Sequence, residues 1–127
     1  MRILKELRWI GRSREDLRVF PDEVRRDLGY ALQFAQAGTK HPAAKPLRGF
    51  TGAAILEIVE DHHGDTYRAI YTVHFKTVVY VLHAFQKKSK SGIRTPQKEI
   101  DLIHRRLHLA AEHYRQFPQA HKTGANP

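Results

Sequence analysis

Hydrophobic residues alternate with polar ones along the second half of the chain, at the period of a β-strand. Residues 54–60 (AILEIVE) and 67–74 (YRAIYTVH) show this alternation, and each is predicted to form a strand. The segment 62–65 (HHGD) between them predicts a tight turn, so the two strands form an antiparallel hairpin. Residues 78–85 (VVYVLHAF) are apolar at both sets of alternating positions, which predicts a central strand covered on both faces.

Helical periods appear before and after these strands. A short helix is predicted to begin with Ser13 as its N-cap, and a second helix begins at Pro21-Asp22 and ends at Gly38. A third helix is predicted to begin at Thr95-Pro96, with Thr95 as its N-cap. The second helix has an apolar stripe of Val24, Leu28, Ala31 and Ala35. The third helix has a stripe of Ile100, Ile103, Leu107, Ala111 and Tyr114.

Together these elements predict one α+β domain over residues 1–117. Residues 5–10 (KELRWI) add a short first strand. The predicted fold is a small antiparallel sheet of three or four strands, packed against the two N-terminal helices and followed by a C-terminal helix. Residues 39–52, with two prolines and two glycines, predict a long loop, and residues 118–127 predict a disordered tail.

The charge of the chain indicates an anionic partner. Its 22 Lys and Arg residues outnumber its 13 Asp and Glu residues, which gives a net charge of +9. Such a charge favours binding to nucleic acid, the ribosome or an acidic protein. The chain has no cysteine, which excludes disulfides and thiol nucleophiles and fits a reducing compartment. No segment approaches the roughly 20 apolar residues of a membrane span. A cytoplasmic location is therefore predicted.

A cluster of cations follows the predicted central strand. The strand runs directly into Lys87, Lys88 and Lys90, and Arg68 lies among the apolar residues of the neighbouring strand. Phosphate groups need several fixed donors and positive charge, so lysines at the end of a rigid sheet suit a polyanion. The alternative is a solvated lysine loop, which is the commoner meaning of a short charged run.

His83 adds a group that can transfer protons near neutral pH. Simple alternation places His83 on one face of its strand with Val79, Val81 and Phe85. If the strand register brings His83 to the same face as Arg68, that face carries the groups needed to cleave RNA. In this reaction the 2′-hydroxyl of the RNA attacks the adjacent phosphate. The alternative has equal weight: Arg68 pairs with Glu57 across the sheet, and His83 is a packed core residue.

Other chemistries have weak signals. His104, His108 and Glu112 follow one another at intervals of four residues, a spacing that could bind zinc on a helix. They lie beside the core stripe, however, where polar residues are expected in any case. The segment 49–52 (GFTG) lacks the Lys-Ser/Thr pair of a nucleotide-binding loop. We therefore predict no metal and no cofactor.

Several segments resemble one family. They are Trp9-Ile10-Gly11, Ser13-Arg14-Glu15-Asp16, Phe20-Pro21, residues 44–50 (AKPLRGF), residues 67–71 (YRAIY), and residues 81–89 (VLHAFQKKS) followed by Thr95-Pro96 and Glu99-Ile100. Over roughly residues 5–115 the chain resembles the phage-derived HigB-type toxins of the RelE/ParE superfamily. The resemblance implies the RelE-like fold and the toxin of a type II toxin–antitoxin pair, usually an mRNA endonuclease acting on translating ribosomes. Its implied partner is a helix-turn-helix antitoxin.

The resemblance also implies site residues. The basic catalytic site of the family maps onto Arg68, Lys87 and Lys88. Lys45 and Arg48 match basic positions before the hairpin, and with His83 and Lys90 they form the predicted RNA- and phosphate-binding group. The late catalytic Tyr of some relatives is not carried over to Tyr114, which leaves the general base and acid unassigned. The alternatives are a ParE-like inhibitor that binds DNA gyrase without cleaving nucleic acid, and a degenerate domain that only binds RNA or protein.

Overall fold

One five-stranded β-sheet has α-helices on both of its faces. The computed structural model describes residues 4–50, 52, 54–87 and 95–117. The strands are β1 (Glu6–Trp9), β2 (Lys45–Pro46), β3 (Ile55–His62), β4 (Asp65–Thr72) and β5 (Val78–Lys87). The helices are α1 (Ser13–Arg18), α2 (Asp22–Gln36) and α3 (Gln97–Gln116). No helix in these described ranges is long and apolar enough to cross a membrane.

The sheet is mixed, with the strand order β1-β5-β4-β3-β2. The four later strands pair antiparallel, but β1 pairs parallel to β5. The predicted α+β class is therefore confirmed, whereas the prediction of a purely antiparallel sheet is wrong. Alternation within β1 does not encode its direction or its partner, because β5 follows β1 in the chain only after two helices and three strands. The interior position of β5 is confirmed, although β4 is the middle strand.

Two hydrophobic clusters pack on opposite faces of the sheet. On the first face the predicted stripe of α2 is buried against β3 and β5, and Leu7 and Trp9 of β1 pack beside it. On the second face α3 covers the sheet through Ile103 and Ala110, which are fully buried. The rest of the predicted α3 stripe is partly buried in the same cluster. Both predicted helix stripes are thus confirmed, and β4 and β5 are covered on both sides.

A β-bulge interrupts the pairing of β4 with β5. Ile70 lies opposite His83 and Tyr71 lies opposite Val81, so Leu82 is the extra residue. The extra residue reverses the alternation, and both Leu82 and His83 lie on the α3 face. The predicted grouping of His83 with Val79 and Val81 is therefore wrong, because strict alternation fails at a bulge. Ala84 correspondingly joins the opposite cluster.

Two predicted helix caps are also wrong. Ser13 lies inside α1, where its buried hydroxyl donates to the carbonyl oxygen of Val81 at 3.2 Å. The N-cap of α3 is Pro96, and Thr95 bonds to side chains of the sheet instead of the helix backbone. Both hydroxyls have partners far away in sequence, which local spacing cannot reveal.

The connections between elements agree in part with the sequence predictions. The predicted turn between β3 and β4 is confirmed: His63 and Gly64 have φ angles of 51° and 86°, as a two-residue hairpin turn requires. The predicted loop 39–52 contains the short strand β2, so that prediction is wrong over Lys45–Pro46. The predicted disordered tail, residues 118–127, lies outside the described residues.

Candidate active site

The register of β4 and β5 brings three of the predicted site residues, Arg68, His83 and Lys87, to one face of the sheet, the face covered by α3. Arg68 lies opposite Phe85, and Thr66 lies opposite Lys87 in the same antiparallel register. Because directly opposed residues share a face and alternate residues repeat it, Arg68, Phe85 and Lys87 all lie on the α3 face. His83 lies two residues before Phe85 and opposite Ile70, so it shares this face as well. We call these residues, with the first turns of α3, the α3-face site.

Arg68 is buried at the centre of a polar network. Its side chain is only 1% exposed, and its Nη1 atom donates to Glu57 Oε2 at 3.2 Å and to Thr95 Oγ1 at 3.0 Å. The Thr95 hydroxyl in turn donates to Glu57 Oε2 at 3.1 Å. Of the two interpretations of Arg68, the pairing with Glu57 is the one observed. Its guanidinium holds Glu57 of β3 and Thr95, two residues before α3, together. Its catalytic role stays a prediction.

His83 is fixed from both sides of its ring. Its Nε2 atom lies 2.6 Å from Glu99 Oε1, and its Nδ1 atom lies 3.4 Å from Arg106 Nη1. Because a guanidinium can only donate, Nδ1 accepts and Nε2–H donates to the carboxylate. The ring also stacks on Phe85, with centroids 4.9 Å apart. Burial, with a further contribution from Arg106, lowers the pKa of His83, and the bond to Glu99 only partly opposes this. A neutral imidazole therefore supports the Glu99 carboxylate.

Sequence reasoning missed Arg106 and gave Glu99 no role. Arg106 Nη1 donates to the carbonyl oxygen of Leu82 at 2.9 Å, so it also holds the bulge in place. A Cβ atom at Gly11, where φ is +60°, would lie 2.9 Å from the Arg106 guanidinium, so the glycine leaves room for it. The sequence held one signal that Arg106 faces the sheet. Arg106 lies three residues after Ile103 and directly before Leu107, at the margin of the core stripe.

The other predicted cations lie around this site or outside the described residues. Lys87 is half-buried at the end of β5. Lys45 lies opposite Glu57 in the β2–β3 register, so it shares the α3 face, and it is exposed. Arg48 is exposed in the turn that follows. Lys88 and Lys90 lie outside the described residues.

The segment that carries Lys45 and Arg48 is anchored to α3. Leu47 and Phe50 are buried in the cluster beneath α3, and the Phe50 ring stacks on His104 at 4.2 Å between centroids. His104, from the discounted zinc motif, thus packs against an aromatic ring. Over the described ranges, no three His, Asp or Glu side chains are grouped in a way that could hold a metal ion.

The environment of His83 predicts a pH dependence of stability. Histidine in an unfolded chain has a pKa of about 6.5, and burial lowers the pKa of His83 in the folded protein. Below that pH the unfolded chain binds a proton that the folded chain resists. The free energy of unfolding should therefore fall as the pH drops below about 6.5, by at most about 1.4 kcal/mol per pH unit. Urea unfolding measured between neutral and mildly acidic pH tests this.

Glu60 changes the stability in the opposite direction as the pH falls, so the effect of His83 must be measured against a variant. Burial and the neighbouring carboxylate of Asp27 raise the pKa of Glu60 to about 7, so its protonation favours the folded state as the pH falls. The contribution of His83 is therefore the difference between the parent and His83→Gln. The variant should lose less stability on acidification. Identical pH profiles for the two proteins would contradict the assignment.

The arrangement of helices and strands defines a RelE-like α+β fold. The chain is similar to the structure of a mutant of the E. coli toxin RelE in the free state, with 26% identity and a TM-score of 0.50. That similarity covers 64% of this chain and 81% of RelE. A weaker similarity is to the toxin–antitoxin complex RelBE2 from Mycobacterium tuberculosis, with 20% identity and a TM-score of 0.43 over 67% of this chain and 100% of that one.

The family follows from the sequence match. The model of the phage-derived Gp49-like proteins matches residues 15–108, which include most of α1, all of α2, the hairpin and most of α3. The chain therefore belongs to the phage-derived Gp49-like family. No curated protein matches it.

Proposed function

We propose that this protein is the toxin of a type II toxin–antitoxin pair, of the HigB-type branch, and that it cleaves mRNA on the ribosome without a metal. The observation that carries the proposal is the α3-face site: Lys87 lies on the same face as the Glu99–His83 pair, in a protein whose fold is RelE-like. The 26% identity with the E. coli toxin RelE supports it. The net charge of +9 suits a phosphate-rich substrate.

The proposed reaction is an attack of the RNA 2′-hydroxyl on the adjacent phosphorus. A base takes the hydroxyl proton, the new bond forms between the 2′-oxygen and phosphorus, and the bond to the 5′-oxygen breaks. The leaving oxygen takes up a proton, so the products are a 2′,3′-cyclic phosphate and a 5′-hydroxyl end. Lys87 and Lys88 neutralise the charge that develops on the phosphate. Lys45, Arg48 and Lys90 bind neighbouring phosphates.

Within the α3-face site, Glu99 is the group that we assign to proton removal. Its side chain is 18% exposed, against 7% for His83, so it is the member of the pair that RNA can reach. The Nε2–H group of His83 orients the carboxylate, and Arg106 holds the other side of the imidazole ring. His83 is then a positioning residue, as Arg68 is for Glu57.

The site can be tested by cleavage in a cell-free translation extract. The purified protein should cut a reporter mRNA during translation, leaving 5′-hydroxyl ends that can be mapped. Treating the purified protein with a chelator, which is removed before the protein is added to the extract, should not slow cutting. Glu99→Gln keeps the shape of the side chain but cannot accept the proton, and we expect a loss of about 100-fold or more. Intact transcripts with arrested DNA replication would support the gyrase inhibitor instead.

The proposed partner is a helix-turn-helix antitoxin, and the proposed location is the cytoplasm, where ribosomes translate. A protein with a net charge of +9 suits an acidic inhibitor, because charge complementarity speeds association.

A further inference from the structure

A groove borders β1 on the face of the sheet away from the α3-face site. Two concavities of about 400 and 460 Å³ flank this strand, and both are lined by Leu7, Trp9 and Arg14. In the larger one Leu17 and Leu32 add apolar surface from α1 and α2. Since these leucines belong to the buried core, the groove has an apolar floor that is fixed in place. We call it the β1 groove.

The strand beside this groove lies at one edge of the sheet, and no other strand in the described ranges pairs with its outer side. Lys5, just before the strand, bonds to Gln36 of α2. β1 is the last strand on its side of the sheet, so only its other side pairs with β5. The amides of Glu6 and Ile10 donate toward β5, to the carbonyls of Thr77 and Val81. Because backbone groups alternate along a strand, those of Leu7 and Trp9 point away from the sheet. An extended peptide could pair with them and add a sixth strand.

Arginines predominate in the larger concavity, whereas Glu6 and Glu15 line the smaller one. Arg14, Arg18 and Arg25 line the larger concavity, and all three are exposed. Arg25 pairs with Asp22. Across the described ranges, neither Arg14 nor Arg18 makes a side-chain hydrogen bond or an ion pair. Two unpaired guanidiniums beside an apolar floor match a segment that carries both carboxylates and apolar side chains.

Gly29 also indicates that the groove binds another chain. It lies in the interior of α2 and lines the larger concavity. A Cβ atom at this position would meet no other atom within 4 Å, so packing within the protein does not require glycine. Glycine is a poor helix former, and alanine would be better in an exposed helix interior. Its absence of a side chain leaves space for another chain.

We propose that the β1 groove binds an extended acidic segment of a partner protein as an added strand. Backbone groups of the segment pair with Leu7 and Trp9, its apolar side chains cover the floor, and its carboxylates bind Arg14 and Arg18. The identification of that partner as the antitoxin rests on the proposed function. The binding itself does not, because the groove and the α3-face site lie on opposite faces of the sheet.

A synthetic peptide tests the proposal on the full chain. The probe is a fluorescein-labelled peptide of about ten residues, close to the upper length of a strand, in which every second residue is alternately valine or glutamate and the others are serine, so that both kinds of side chain face the groove. Fluorescence anisotropy should show saturable binding that weakens as salt increases. Hydrogen exchange of the Leu7 and Trp9 amides should slow when the peptide is bound. Equal binding of a peptide with lysine in place of glutamate, or unchanged exchange at both amides, would overturn the proposal.

Matched variants locate the binding. Arg18→Glu should weaken the peptide about tenfold or more, whereas Arg26→Glu makes the same charge change on α2 outside the groove and should not. Gly29→Leu should also weaken binding by filling the groove, and Gly29→Ala should raise the melting temperature. If Arg18→Glu fails to fold, the test depends on Gly29→Leu, and unchanged peptide binding by that variant would overturn the proposal.

RNA is the other anion that the arginines could attract. Protection of the Leu7 and Trp9 amides by a uridine oligonucleotide, without protection by the acidic peptide, would make the groove an RNA surface and overturn the proposal. The cleavage assay for the proposed function needs no peptide. Cleavage at the α3-face site and peptide binding at the β1 groove can therefore each fail without the other.

Discussion

Replacing Arg68 by alanine is expected to lower the free energy of unfolding by about 3 kcal/mol, near the lower end for breaking a buried ion pair. Arg68 is 1% exposed and bonds to both Glu57 and Thr95. Its removal leaves the largely buried Glu57 carboxylate without its counter-charge. Because Glu57 is 16% exposed, water can reach it, which is why we expect the lower value. Urea unfolding of the purified variant measures the loss.

A second substitution separates the ion pair from the packing of Arg68. The double variant Arg68→Ala/Glu57→Ala should be more stable than Arg68→Ala alone, because it removes the uncompensated charge. If the single and double variants are equally stable, burial of the arginine side chain matters more than its pairing.

The stability of Arg68 variants also decides how their activity is interpreted. A loss of growth inhibition by Arg68→Ala follows both from a lost phosphate contact and from unfolding. If the double variant fails to cleave RNA while Glu57→Ala alone still cleaves it, and both are folded, Arg68 has a role in the reaction beyond supporting the fold. Parental cleavage by the double variant would limit both side chains to supporting the fold.

The sequence predicted those parts of the fold that depend on local periodicity. The stripe of α2, the hairpin of β3 and β4, and the two-sided burial of β5 follow from where apolar residues recur. The parallel pairing of β1 joins it to a strand that follows only after two helices and three strands, and periodicity within β1 does not record a partner so distant in sequence. The strand β2 was hidden because it has two residues and one is Pro46, which is tolerated at a sheet edge.

The candidate site was predicted less completely, because its geometry depends on tertiary contacts. The bulge at Leu82 moves His83 to the α3 face, and no residue type near it signals an extra residue. Thr95 looked like a helix cap because threonine before proline is a common start, yet its hydroxyl bonds to Arg68 and Glu57. Conversely, a charged residue inside an apolar strand did signal something unusual at Arg68.

The last prediction concerns Lys87, the lysine at the end of β5 on the α3 face of the sheet. Lys87→Ala should slow mRNA cleavage by about 100-fold, the loss expected when one fixed donor to the transition-state charge is removed. The stability should change little, since the residue is half-buried at the end of β5. Lys88 is assigned to the site from the sequence resemblance alone, and Lys88→Ala should slow cleavage at least as much. Single-turnover cleavage of a reporter mRNA on ribosomes measures both.

Lys76→Ala is the matched control for Lys87→Ala. It removes the same charge from an exposed residue in the turn before β5, at the opposite end of that strand. If cleavage depends on a donor at the α3-face site, Lys76→Ala should cleave at the parental rate. If both variants slow cleavage equally, and added salt produces the same effect on the parent, then the lysines act only through general attraction of RNA. Parental cleavage by both Lys87→Ala and Lys88→Ala would show that the end of β5 is a docking surface and that the reacting phosphate lies elsewhere.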